Sequence, residues 1–224
     1  MKVLVACEES QAVCKAFREK GHEAYSCDII DCSGGHPEWH IKCDVLKIIN
    51  GNRMFSTCDG NYHLIKGNWD LIIAHPPCTY LTVTGNRWFN VERYGEKAIE
   101  RQKLRNEAIK FFMELANANC ERIAIENPVG GMRKMQFMQG LPRYTVTYCQ
   151  YGERRQKPTD IWTNHPDPQF KPPCKRGSPC HEAAPRGSQT GTQGLRNAKE
   201  KGVIPEMLCN HIVDICEKYI KRGF

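Results

Sequence analysis

Short apolar runs separated by amphipathic stretches constrain the fold of this chain more than any other feature. The runs occupy residues 2–6, 23–27, 69–74, 122–125, 144–148 and 160–163. Each has the length of a strand, and near-continuous apolar strands are those covered on both faces of a sheet. Between the first two runs, Val13, Ala16 and Phe17 share one face at helical spacing, Ser10 stands where an N-cap belongs and Gly21 where a C-terminal cap belongs. The pattern predicts an α/β fold, a mostly parallel sheet with helices on both faces.

A long helix is predicted over residues 91–117, where Ala98, Leu104, Ala108, Phe111, Phe112 and Leu115 recur among many charges. Pro205 at a first helical position, followed by Met207, Leu208, Ile212, Ile215 and Tyr219, predicts a terminal helix that packs back on the sheet. Residues 165–202 differ in character, being rich in Pro, Gly, Ser, Lys and Arg and almost free of aliphatic side chains. The expected organisation is a core over 1–164, a loop-rich basic insertion over 165–202 and a C-terminal helix within 203–224. An irregular stretch of that length in a compact domain is either functional or disordered.

The 224 residues are 40% hydrophobic, enough for one substantial core. Only Val3 to Ala6 are apolar before Cys7 and Glu8 intervene, so neither a signal peptide nor a membrane span is expected at the start, and the chain is expected to be cytoplasmic. The cysteines number 13 and scatter from Cys7 to Cys216, which favours reduced thiols over a disulfide framework. A net charge of +7 favours a polyanionic partner without identifying one.

In open parallel sheets ligands bind beyond the carboxyl ends of the strands, so the polar residues that follow apolar runs carry the functional information. These ends read Cys7-Glu8-Glu9-Ser10, Asp28, Asp44, His75-Pro76-Pro77-Cys78 and Glu126-Asn127-Pro128. Asp28 and Asp44, after neighbouring strands, suit the ribose hydroxyls and adenine amino group of a nucleoside cofactor. The Cys7 to Gln11 turn would lie beneath the rest of that cofactor. Pro76 and Pro77 stiffen the turn that presents Cys78, and Pro128 does the same behind Glu126. A thiol and a carboxyl group on adjacent strand ends suit conjugate addition to a pyrimidine: the thiolate attacks carbon 6, and an acid at ring nitrogen 3 relieves the charge that develops.

With Pro76-Pro77-Cys78 and Glu126-Asn127-Pro128 in this order, the chain resembles the DNA cytosine carbon-5 methyltransferases, in particular the short forms of bacteriophages and prophages. The resemblance covers most of residues 1–165. It implies the Rossmann-like fold of class I S-adenosylmethionine-dependent methyltransferases, with DNA as partner and no membrane association, in a chain expected to be monomeric. It implies that Cys78 attacks carbon 6 of a cytosine flipped from the duplex, that Glu126 holds and protonates nitrogen 3, and that Arg155 and Lys157 contact the base. S-adenosylmethionine would be held by Cys7, Glu8, Ser10 and Gln11, by Asp28 with Ile29, by Asp44 with Val45, and by His75 and Pro77. The first strand end departs from the family's glycine-rich motif.

In so short a chain the insertion would have to serve target recognition, with Lys171, Lys175, Arg176, Arg186, Arg196, Lys199 and Lys201 for phosphate contact. Cys174, Cys180 and His181, with His165 upstream, are four candidate zinc ligands. Their irregular spacing favours free thiols and a structural histidine, so no metal is expected.

Three rival readings exist. His36-Pro37-Glu38 ahead of Pro77-Cys78 suggests a zinc-dependent deaminase, but Leu81 stands where that signature needs its second cysteine. An exocyclic-amino methyltransferase leaves the Cys78 and Glu126 pairing unexplained. A catalytically silent DNA-binding protein of the same fold differs by lacking cofactor affinity.

Overall fold

The computed structural model describes residues 1–134, 141–175, 177–182 and 202–220. The chain opens with β1 (Lys2–Ala6), α1 (Ala12–Glu19), β2 (Glu23–Asp28) and the short β3 (His40–Lys42). A hairpin of β4 (Arg53–Ser56) and β5 (Tyr62–Ile65) precedes β6 (Leu71–Ala74). After α2 (Val91–Tyr94) and α3 (Glu96–Ala116) come β7 (Ile123–Pro128), β8 (Arg143–Thr147), β9 (Pro158–Thr163) and α4 (Glu206–Ile220).

The main sheet has seven strands in the order β3-β2-β1-β6-β7-β9-β8. β3 through β7 are parallel neighbours, whereas β9 runs antiparallel to both β7 and β8. From β1 the chain winds outward to β3 and then returns to β6 on the other side, so the strand order reverses between β1 and β6. The crevice beyond Ala6 and Ala74 is therefore where a ligand of such a sheet sits.

Both faces are buried because consecutive strand residues point to opposite sides. Leu4, Ile72, Ile123 and Ile125 pack with Phe112, Leu115 and Trp69 on one side. Val3, Val5, Leu71 and Ile73 pack with Val13 and Phe17 of α1 and with Leu208 and Val213 of α4 on the other. Burying each such aliphatic side chain is worth about 1.5–3 kcal/mol, which is why these runs specify strands despite the many charges between them. The mostly parallel sheet, the helices on both faces and the packing of the terminal helix agree with the sequence pattern.

Several local expectations differ. The helix expected over 91–117 is interrupted at Gly95, whose φ of 52° and ψ of −131° no helix accommodates, giving α2 and α3. Ser10 does not cap α1. Gln11 occupies the cap position in the left-handed region at φ 61°, and the amides of Val13 and Cys14 donate to the Glu8 carboxylate instead, at 2.6 and 3.2 Å. Pro205 stands just ahead of α4, its carbonyl accepting from Leu208 and Cys209. The sixth strand begins at Leu71, and Trp69 is a buried loop residue whose Nε1 donates to the Ile48 carbonyl at 2.8 Å. The β4–β5 hairpin was not anticipated: only Phe55 and Ile65 turn inward, while Met54, Tyr62 and Leu64 remain exposed.

Residues 165–175 and 177–182 contain no helix or strand. Of the basic residues expected in the insertion, Arg176, Arg186, Arg196, Lys199 and Lys201 lie outside the described residues. No helix among the described residues is long and apolar enough to cross a membrane.

Candidate active site

β6 and β7 are adjacent, with Ala74 opposite Ile125, so the residues that follow them meet without crossing another strand. The two loops are locked together. Asn127, buried, donates from Nδ2 to the Pro76 carbonyl at 3.1 Å, and the Gly131 amide donates to the Leu81 carbonyl at 3.0 Å. Thr82 and Gly130 form an isolated bridge. A Cβ on Gly130 would lie 2.2 Å from the Leu81 oxygen, so the approach requires glycine. Behind the thiol, Arg101 and Arg105 of α3 donate to the carbonyls of Thr79 and Tyr80, tying the Cys78 loop to that helix.

The reversal of β9 brings a third segment to this edge. Thr147 pairs with Pro158 and Pro128 with Thr159, so Lys157 emerges where β7 ends. Its side chain is buried, with Nζ 4.2 Å from the centroid of the Tyr148 ring. The Tyr148 hydroxyl donates to Glu126 Oε1 at 3.1 Å, and His75 Nδ1 lies 3.5 Å from Glu126 Oε2. Lys157 holds a φ of 31°, a conformation that costs a side-chain-bearing residue about 1 kcal/mol or more and persists only where the surroundings enforce it.

These groups set one another's protonation. Burial pushes the Cys78 thiol up, Glu126 pushes it further, and Lys157 opposes both. Burial also pushes the Glu126 carboxyl up, but His75, Lys157 and Tyr148 together outweigh it and hold the group below the usual glutamate range. Burial lowers Lys157, with Glu126 and Cys78 partly restoring its proton affinity. The resting site is thus a thiol beside an ionised carboxylate, with a buried cation compensating the charge.

The expected cofactor residues divide into two groups. Cys7, Asp28 and Asp44 share one neighbourhood: burial pushes the Cys7 thiol up to about 12, and the fields of Asp28 and Asp44 add to it. Asp28 Oδ1 accepts from the Ile30 amide at 3.3 Å and Asp44 Oδ1 from Leu46 at 3.0 Å, which leaves the second oxygen of each carboxylate for a ligand. Ile29 is exposed, as are Ser10 and Pro77. The remainder are engaged within the fold. Glu8 is buried against the start of α1, and Gln11 exchanges hydrogen bonds with the backbone of His36 at 2.8 and 3.0 Å. Val45 packs in the core, and His75 belongs to Glu126.

Arg155 is half-buried and makes no hydrogen bond or ion pair among the described residues, so of the two basic positions only Lys157 joins Cys78 and Glu126. His36 and Glu38, the deaminase-like pair, bond to each other at 2.9 Å, with His36 stacked on Trp39. The candidate zinc ligands also regroup. Cys149 joins Cys174, Cys180 and His181, whose ligand atoms all lie within 4.8 Å of one another. His165 does not, because it follows β9 on the α4 side of the sheet, where its Nδ1 accepts from Asp167.

Sequence reasoning missed Tyr148, Asn127 and Cys149. Asn127 stood inside a noted motif, and Tyr148 closed a noted strand. Cys149 carried no local signal, its cysteine partners being 25 and 31 residues away.

No model of a known protein family matches the chain, and no curated protein matches it at significant similarity.

Proposed function

We propose that this chain is an S-adenosylmethionine-dependent DNA methyltransferase acting on carbon 5 of cytosine. The observation that carries the reading is the convergence of Cys78, Glu126 and Lys157 at one sheet edge, beside the crevice marked by the strand-order reversal. The α/β sheet is compatible with the Rossmann-like class to which such enzymes belong.

The reaction inverts the resting protonation: the proton must move against the directions in which the site holds Cys78 and Glu126, so addition to the ring has to draw it across. The Cys78 proton passes to Glu126, leaving a thiolate beside Lys157 and a carboxylic acid beside Tyr148. The thiolate adds to carbon 6 while Glu126 gives its proton to nitrogen 3, so the ring gains a nucleophilic carbon 5 without a net charge. S-adenosylmethionine, when bound, supplies the methyl group. Loss of the carbon 5 proton to solvent then lets the Cys78 sulfur leave, and Glu126 recovers its proton from nitrogen 3. Asp28 and Asp44 fit the cofactor, each carrying an unused carboxylate oxygen at the crevice. The Arg101 and Arg105 guanidiniums over the Tyr80 and Phe89 rings, beside Cys78, add positive charge suited to a phosphate backbone.

The test is methyl transfer from labelled cofactor to cytosine-containing DNA, followed by nucleoside analysis. The expected product is 5-methylcytosine. Label on an exocyclic nitrogen, or none despite demonstrated cofactor binding, would overturn the assignment. The internal engagement of Glu8 and Gln11 favours one rival, a catalytically silent DNA-binding protein of the same fold, which predicts no affinity for S-adenosylmethionine or its demethylated product by calorimetry.

A further inference from the structure

We propose that Cys149, Cys174, Cys180 and His181 form a closed structural zinc site that clamps the insertion to the segment joining β8 and β9. Cys149 lies directly after β8, while the other three come from the irregular stretch beyond β9.

The distances fit a tetrahedral metal. Bonds of ~2.3 Å to sulfur and ~2.0 Å to nitrogen place tetrahedral sulfurs about 3.8 Å apart and sulfur and nitrogen about 3.5 Å apart. Cys180 and Cys149 sulfurs are separated by 3.8 Å. His181 Nδ1 stands 3.6 Å from the Cys174 sulfur and 3.5 Å from that of Cys180. Cys149 and Cys174, at 3.0 Å, must part by about 0.8 Å to admit the ion, and the two remaining pairs lie within 4.8 Å. That separation is also well beyond the ~2.05 Å of a disulfide, which would in any case leave Cys180 and His181 with no role.

Three thiolates and one imidazole with no open position make a structural rather than a catalytic set. Gln156 Nε2 donates to the Cys174 carbonyl at 3.0 Å and reaches its sulfur at 3.5 Å, the outer-shell contact that orients a thiolate ligand and offsets its charge. Residues 165–175 and 177–182 contain no helix or strand, so a metal would supply a cross-link that regular secondary structure does not. Because Gln156 adjoins Lys157, the clamp also holds the backbone that carries the active-site lysine.

The test uses the full chain, purified under thiol reductant and assayed for metal by elemental analysis. About one zinc per chain is expected. After zinc removal, Co(II) should give the red-region absorption of a tetrahedral ion and the charge-transfer intensity of three thiolates. Cys180→Ser and His181→Ala should each weaken zinc binding by more than the ~10–100-fold typical of an outer partner, Gln156→Ala by ~10–100-fold, and Cys58→Ser not at all. Absence of stoichiometric zinc after refolding with the metal, a Cys149–Cys174 disulfide in unreduced peptides, or a Co(II) spectrum with fewer than three thiolates would each overturn the proposal. The Co(II) spectrum of the unmodified chain decides the matter if a variant fails to fold. None of these readouts involves methyl transfer, so failure here leaves the proposed reaction standing, and the reverse.

Discussion

Tyr148 reaches past β9 to donate a 3.1 Å hydrogen bond to Glu126, two strands away in the sheet. The same ring carries Lys157 on its face at 4.2 Å. One aromatic side chain thereby fixes both the carboxylate and the cation that govern Cys78, and the consequences of this arrangement are measurable.

Cys78→Ala should lower methyl transfer by more than ~10³-fold, as loss of a covalent nucleophile does. Cofactor binding by calorimetry should be unchanged, because Asp28 and Asp44 lie at other strand ends. Retained activity would sink the role given to the thiol.

Glu126→Gln should cost ~10²–10⁴-fold in kcat, the range of a lost general acid. It should also change acid stability. A carboxyl held below its usual range stabilises the fold fully above its unfolded pKa of about 4.3, and that contribution fades as pH falls through the lower folded value. In thermal melts, the wild-type chain should therefore lose stability relative to Glu126→Gln as the pH drops below about 4.

Lys157→Met keeps most of the side-chain length while removing a buried charge. Because burial lowers the lysine pKa in the fold, carrying the proton opposes folding at neutral pH, and this cost fades as pH rises toward the ordinary lysine value. The variant should be at least as stable as wild type near neutrality, with the difference shrinking at alkaline pH. Activity should nevertheless fall, and the pH dependence of Cys78 alkylation should move upward, since the group that stabilises its thiolate is gone.

Gly130→Ala should destabilise by about 1–3 kcal/mol, the cost of forcing an atom into a packed site, and should lower activity by separating the Cys78 and Glu126 loops. Gly131→Ala, whose Cβ would lie 3.8 Å from its nearest neighbour, should do neither. Equal melting temperatures for the two variants would contradict the locked-loop geometry.

Asp28→Asn and Asp44→Asn should each weaken S-adenosylmethionine binding by ~10–100-fold, as expected for one lost charged hydrogen bond of about 1.5–3 kcal/mol. Each amide keeps the oxygen that accepts from Ile30 or Leu46, so melting temperatures should stay within about 1 °C of wild type.

What the amino-acid sequence determined by itself is local in origin. Apolar runs the length of a strand, spaced by helical patterns, were sufficient for the layered α/β architecture and for the strand ends that carry Cys78, Glu126, Asp28 and Asp44. Burial on two faces writes itself into each run separately, and a proline turn is legible in the residues that make it. Two local expectations gave way to competing signals close by: Glu8, five residues from Val13, rather than Ser10 serves the start of α1, and Gly95 splits a helix whose apolar spacing runs on across it.

Only the tertiary structure decided the direction of β9, and much of the site depends on that direction. An apolar strand reads the same either way, because its side chains alternate identically in both senses. Its reversal places Lys157 beside Glu126 and sends residues 165–175 and 177–182 back toward Cys149. The Tyr148 hydrogen bond and the regrouping of Cys149 in place of His165 follow from strand pairing between distant segments, which no spacing along the chain encodes.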